Sequence, residues 1–226
     1  MDHRIALIHA TPLAMGPIAI AFERHWPQAR RMNLLDDSLS VDRAEAGHLT
    51  AAITQRFIDL AKYAGDCGCD GILFTCSAFG PAIEAAAWAS GMPTLKPNEA
   101  MFEQALAKSA DGKTVRLGLV ATFQASIDSM SEELLEMAMQ RGMEVDLRTV
   151  FVPDAMHDLA QGHAAEHHRK VAEAARALSD CDAVMLAQFS MADAVQQVQA
   201  KLAPPVLSSP DCAVLALKTR VHATHG

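Results

Sequence analysis

Aromatic side chains are scarce in this 226-residue chain: Phe, Trp and Tyr make up 5% of it, with a single tyrosine. Ala, Leu, Val, Ile and Met dominate instead, a balance that suits helices packed on a buried parallel sheet. A basic stripe is missing as well. The formal net charge is −8, and no run of Lys and Arg is placed to neutralise phosphates along a duplex, so nucleic acid is not an expected partner. Long apolar runs are absent: nothing approaches the roughly 18 residues of a membrane span, and the uncharged stretch from Gly71 to Ile83 is broken by Gly, Thr, Cys, Ser and Pro. The N-terminal residues run straight into an apolar strand pattern without a signal-peptide core. No membrane partner and a cytoplasmic location are therefore expected.

The cysteines number five, Cys67, Cys69, Cys76, Cys181 and Cys212. An odd count argues against a disulfide framework, and they read as free thiols. Cys67-Gly-Cys69 has no second half of a zinc pattern. His163, His167 and His168 have no third ligand fixed by spacing and read as a solvent-facing helix start. There is neither a Gly-Lys-Ser/Thr phosphate loop nor a Gly-x-Gly-x-x-Gly turn, so no nucleotide is expected. No metal and no cofactor enter the reading.

What the sequence does contain is an alternation. Strand candidates are Arg4–His9, Arg30–Leu35, Gly71–Thr75, Thr94–Lys96, Arg116–Ala121, Glu144–Val150, Ala183–Ala187 and Val206–Ser208. Helical patterns lie between them: Arg43–Ala64, Pro81–Ala89, Asn98–Lys108, Gln124–Gln140, Glu166–Leu178, Ala192–Lys201 and Pro210–His222, with Gly16-Pro17 opening one more. Alternation of this kind predicts an α/β fold with parallel strands joined by right-handed crossovers.

The second half also echoes the first at a fixed offset. Arg4 and Arg116 are 112 residues apart, as are Cys69-Asp70 and Cys181-Asp182, and Pro93 and Leu95 match Pro205 and Leu207 at the same spacing. Each match falls at an equivalent place in one β/α pattern with no gap. A true repeat implies two pseudo-symmetric, doubly wound half-domains. The expected division is 1–97, 98–209 and a final helix, 210–226, packing back on the first half. Ligands of such sheets bind beyond the carboxyl ends of the strands, and in a facing pair those ends can converge on one cleft.

Gly71-Ile-Leu-Phe-Thr-Cys-Ser-Ala-Phe-Gly-Pro81 carries the most chemical information. Cys76 follows a buried strand and feeds a helix that starts near Pro81. Backbone N–H groups and the helix dipole at that place are expected to lower its pKa and can also hold a carboxylate, with Thr75 and Ser77 adding hydroxyl donors. The bland alternative is a small buried apolar residue.

The Thr-Cys-Ser turn after a strand, the polar loop after an early strand and the repeated halves resemble the aspartate/glutamate racemase superfamily, which includes hydantoin racemases, maleate isomerases and arylmalonate decarboxylases. The resemblance spans the chain as a pattern and is motif-like only around Cys76. It implies a cofactor-independent enzyme, a homo-oligomer and a small carboxylate substrate. It also implies one cysteine from each half, on opposite faces of the acidic carbon. The 112-residue offset puts the partner of Cys76 at position 188, which is Gln188, in Ala187-Gln188-Phe189-Ser190. Gln has no titratable proton, so it cannot serve as an ordinary acid or base, although it can donate a hydrogen bond to an enediolate or carboxylate. Symmetric two-thiol racemisation is thereby disfavoured.

One-cysteine chemistry remains, with Cys76 as nucleophile or general acid/base. His9, in His9-Ala10-Thr11-Pro12, is the alternative proton donor, against the reading of a hydrogen-bonded strand-end histidine. Ala121 and Thr122 occupy the matching loop, where Thr122 is either a carboxylate contact or a helix cap. Thr11, Thr75, Ser77, Ala121, Thr122, Phe189 and Ser190 complete the expected substrate-binding set. Asp36, Asp37 and Ser38 read as a solvated turn, residues 153–158 as a loop in which His157 is a weaker candidate, and Asp211 as part of the first turn of the last helix. The functional expectation is an isomerase or racemase-type enzyme. Its alternatives are a decarboxylase of a malonate-type diacid and a non-catalytic carboxylate binder.

Overall fold

A computed structural model describes residues 2–108 and 114–225. It contains two four-stranded parallel sheets. The first is formed by β1 (Arg4–His9), β2 (Arg30–Leu35), β3 (Gly71–Phe74) and β4 (Thr94–Leu95), the second by β5 (Val115–Ala121), β6 (Val145–Phe151), β7 (Ala183–Leu186) and β8 (Val206–Ser208). Their spatial orders are β2-β1-β3-β4 and β6-β5-β7-β8, so the α/β expectation holds in both halves. The helices are α1 (Met15–His25), α2 (Ser38–Ala46), α3 (Ala51–Asp66), α4 (Gly80–Ser90), α5 (Glu99–Leu106), α6 (Ala125–Gln140), α7 (Ala155–Ala160), α8 (Ala164–Ala175), α9 (Val195–Gln199) and α10 (Ser209–His225). None among the described residues is long and apolar enough to cross a membrane.

The chain divides into two compact units. One comprises Met1–Ala100 with Ala213–Gly226, the other Met101–Cys212. The central strands β1, β3, β5 and β7 are buried along nearly their whole length, as unbroken apolar runs require. In the first unit Ala6, Ile8, Ile72 and Phe74 on one sheet face pack with Phe57, Ala61 and Ala64 of α3 and Ala82, Ile83 and Ala86 of α4. In the second, Val120, Val184 and Leu186 pack with Val171, Ala172 and Ala175 of α8 and Val198 of α9.

The 112-residue offset reappears as repeated hydrogen bonds. Asp70 Oδ2 accepts from the Arg4 backbone N–H at 2.9 Å, and Asp182 Oδ2 accepts from Arg116 N–H at 2.8 Å. Both aspartate N–H groups return a bond of 2.7 Å to the carbonyl of the same arginine. Ile72 N–H donates to Pro93 O at 2.8 Å, as Val184 N–H does to Pro205 O at 2.9 Å.

Three local expectations need correction. The pattern over Arg43–Ala64 is two helices. Gly47, at φ 69°, takes the left-handed conformation that ends α2, and Thr50 then caps α3 by accepting from Ile53 N–H. Residues 153–158 are not simply a loop, because Ala155–Ala160 form α7. The His163–His168 segment does not face solvent throughout: His167 is fully buried against the second core. Its two ring nitrogens have no hydrogen-bond partner among the described residues. Burial, aided by the neighbouring charge of His168 and opposed by Asp158, pulls its pKa down to about 4.

Helix α10 closes one flank of the first sheet. Leu217 and Val221 are fully buried, Arg220 donates to Thr94 O at 3.1 Å and to Glu99 at 2.5 Å, and Lys218 Nζ donates to His25 O at 3.2 Å. Gly71 is what permits the contact. A Cβ there would lie 2.8 Å from Val221 Cγ2 and 3.2 Å from Pro93 O. Gly71→Ala is therefore expected to destabilise the protein by about 1–3 kcal/mol, measured by urea unfolding, and Val221→Ala in the same background should recover part of the loss.

His167 makes stability depend on pH. Between pH 6.5 and about 4 the unfolded chain binds a proton that the folded chain refuses, so stability rises with pH through this window and levels above it. A loss on the order of 2 kcal/mol is expected between pH 7.5 and pH 5. His167→Leu should flatten that slope in urea unfolding at the two pH values.

Candidate active site

In a sheet of order 2-1-3-4 the chain leaves β1 toward one edge and returns on the other side of it. The switch point lies between β1 and β3, and the carboxyl ends there are where such sheets bind ligands. Both units have this arrangement. In the first the switch point carries His9, Ala10, Thr75 and Cys76; in the second it carries Ala121, Thr122, Ala187 and Gln188. Strand pairing runs on to these ends, with Thr75 N–H donating to Ile8 O at 3.0 Å and Ala187 N–H to Val120 O at 2.9 Å.

His9 is fully buried. Its Nδ1 lies 2.8 Å from Thr75 Oγ1 and its Nε2 3.0 Å from Asn33 Oδ1. An amide oxygen only accepts, so Nε2–H donates to Asn33 and Nδ1 of the neutral ring accepts from the Thr75 hydroxyl. Burial lowers the pKa of His9, with the Asn33 bond opposing. Both ring nitrogens of His9 are thus bonded inside the first unit, and the Thr75 hydroxyl, 6% exposed, lies within reach of both His9 Nδ1 and, at 3.4 Å, Ile8 O. Asn33 had no sequence signal beyond its place on an edge strand.

Cys76 continues the strand, at φ −127° and ψ 121°, and caps a three-residue 3₁₀ turn, Ser77–Phe79, before α4 begins at Gly80. Successive residues of an extended chain face opposite sides. Thr75 joins His9, while Cys76 lies half-buried against the α3–α4 core. Phe79 anchors the turn there, with its ring centroid 4.9 Å from that of Phe57, which in turn stacks on Phe74 at 5.2 Å. Burying such a ring is worth about 1.5–3 kcal/mol. An exposed ion pair contributes about 0–1 kcal/mol, so the aromatic trio, not surface charge, fixes the loop.

The expected low thiol pKa is not found. Burial pushes the Cys76 thiol up, and the bond from the Ala78 N–H only partly opposes this. The intervening 3₁₀ turn sets the thiol back from the first turn of α4. The other cysteines are free too; burial raises Cys69 and Cys181 and pushes Cys212 up to about 12.

In the second unit, Gln188 Oε1 accepts from both the backbone N–H (2.9 Å) and the hydroxyl (3.1 Å) of Thr122. Thr122 is buried and does not cap α6. Gln188 Nε2 is buried with no hydrogen-bond partner among the described residues, a condition that costs about 1–3 kcal/mol when nothing offsets it. Ala121 is buried and gives its carbonyl to Val152 N–H at 2.9 Å. Phe189 is buried and Ser190 half-buried, both in a 3₁₀ turn over Phe189–Ala194. Of the remaining expected contacts, Thr11 caps its own turn by accepting from Leu13 N–H, and Ser77 is exposed. The loop after β2 is pinned by Arg56, which bonds Asp36, Ser38 and Asp42. Asp211, in the first turn of α10, accepts from Ser208 at 2.6 Å. No group of three or more His, Cys, Asp or Glu among the described residues is arranged to hold a metal ion.

The profile of the Asp/Glu/Hydantoin racemase family matches residues 18–217, across both units. The chain belongs to that family. Solved structures with the same fold include allantoin racemase from Klebsiella pneumoniae, at 18% identity and a TM-score of 0.72, covering 99% of this chain and 89% of that one. Glutamate racemase from Bacillus anthracis matches at 16% identity and a TM-score of 0.68, covering 98% and 82%. Unliganded arylmalonate decarboxylase matches at 18% identity and a TM-score of 0.63, covering 97% and 93%. Identities this low establish the fold these racemases and the decarboxylase share with this family member. A search of curated protein sequences gave no match.

The raised thiol pKa makes one expectation measurable. Iodoacetamide labelling of Cys76, followed by peptide mass spectrometry, should be slower at pH 7 than labelling of free cysteine. Its rate should climb to half-maximum above the free-thiol value of about 8.5.

Proposed function

We propose that the chain is a cofactor-free, one-thiol enzyme of isomerase type acting at the α-carbon or double bond of a small carboxylate, with Cys76 as its reactive group. The observation that carries this reading is the state of Cys76. It stands at the switch point of the first sheet, and burial favours its protonated form. A neutral thiol is poised to deliver a proton to carbon, so the general-acid role fits better than the nucleophilic one. In an isomerisation the α-proton passes first to the thiolate form of Cys76, the electron pair is held as an enediolate on the carboxylate, and the thiol so formed returns a proton to carbon and restores the thiolate. Racemisation needs a second carrier for the opposite face of the carbon, and an amide at position 188 has no proton to give. His9, with both nitrogens bonded inside the first unit, is a positioning group for Thr75 and the Cys76 turn. A homo-oligomeric state and a cytoplasmic location belong to the same reading.

A second reading draws on the same protonated thiol and on the likeness to arylmalonate decarboxylase. In a malonate-type diacid the bond to one carboxylate breaks, CO2 leaves, the electron pair stays as an enediolate, and Cys76 protonates it from one side.

Cys76→Ala is expected to lower turnover about 10²–10⁴-fold. Unchanged turnover in that variant would defeat both readings, and carboxylate binding without any chemistry would make the protein a binder. Assay in D2O separates the branches. Deuterium exchange at Cα without loss of CO2, or conversion of a cis-diacid to its trans isomer, marks the isomerase, and CO2 release marks the decarboxylase.

A further inference from the structure

Gln188 is held in one orientation. A backbone N–H can only donate, so the group facing Thr122 N–H at 2.9 Å must be the amide oxygen, and the Thr122 hydroxyl at 3.1 Å reinforces it. The amide therefore cannot be turned over, and Nε2 with its two N–H donors is directed away from Thr122. That nitrogen is buried and has no acceptor among the described residues. Buried donors are almost always bonded. This one sits at the carboxyl end of the β5–β7 pair, at the switch point where a sheet of this order takes its ligand.

We propose that Gln188 Nε2 is the ligand-binding donor of the second unit, and that it takes a carboxylate or enediolate oxygen. The choice of ligand class rests on the reading under Proposed function; the donor assignment rests on the amide's geometry. An N–H2 group only donates, so its partner must be an acceptor, and an anionic acceptor gives a bond about twice as strong as a neutral one. An amide also keeps its protons at any working pH. An oxygen bound there retains its charge, and Gln188 orients and stabilises it without entering the proton transfer. Because Nε2 is closed to solvent, a ligand oxygen reaches it only as a neighbouring side chain gives way.

The test uses the 15N-labelled full chain with sodium malonate as the probe. The Gln188 side-chain N–H2 pair is identified by its loss in Gln188→Glu, a substitution that leaves an oxygen for Thr122 to donate to. Malonate should shift that pair. In Gln188→Glu at neutral pH malonate affinity should fall about ten- to a hundredfold, while the Thr122 backbone N–H resonance stays near its original position. Gln188→Met, which removes the donor without adding charge, should lose affinity in the same range. Malonate binding that leaves the pair unmoved, or equal affinity in the Glu variant, would overturn the assignment and leave the Cys76 reading standing. A shifted pair in a protein whose turnover survives Cys76→Ala would do the reverse.

Discussion

The pairing of each unit's first strand with its third governs everything else. At the start of the pair an aspartate carboxylate and N–H close on the backbone of an arginine 66 residues earlier, Asp70 on Arg4 and Asp182 on Arg116. Parallel strands rise together, so this clamp at one end sets the register at the other. There, residues again 66 apart meet: His9 with Thr75, and Thr122 with Gln188. A slip of one residue would turn every side chain at the switch point to the opposite face. The chemistry of both strand ends is thus set by a carboxylate–amide contact several residues away.

Within that shared frame the two ends have diverged by one position. The first unit places its polar pair at His9 and Thr75 and leaves Ala10 beside Cys76. The second leaves Ala121 beside Ala187 and places its polar pair at Thr122 and Gln188. The first arrangement spends its hydrogen bonds on holding the strand end and keeps the thiol on the apolar side. The second spends them on holding a side chain whose amide nitrogen has no hydrogen-bond partner among the described residues. One unit ends its third strand on a half-buried thiol and the other on a fixed amide, so the repeated frame carries different side chains at its two matching ends.

Much of this was legible from the residues. Six of the eight strands begin at the expected residue, and the fixed offset pairs the strand ends that carry Cys76 and Gln188. What escaped reading depends on contacts between distant segments. Cys76 looked activated because a helix follows it, but the Ser77–Phe79 turn intervenes and Phe57 and Phe79 dry the site, so burial decides the pKa. His9 read as either a proton donor or a hydrogen-bonded strand-end histidine, and nothing nearby in sequence marks Asn33 as the partner of its Nε2. His167 looked exposed among charged neighbours because a helix of 12 residues shows its buried face only once packed. Gly47 was passed over inside a long amphipathic pattern, although a left-handed glycine is the ordinary way for a helix to stop.

The last helix has a further consequence, for the order in which the protein is made. Residues 213–226 complete the first unit, yet the ribosome produces them after all of the second. Until then Gly71 has no Val221 or Leu217 against it, and the flank of β3 that they cover stays open to water. The first unit must wait, partly uncovered, through the translation of more than a hundred residues. Anything that binds nascent apolar surface has that interval in which to act.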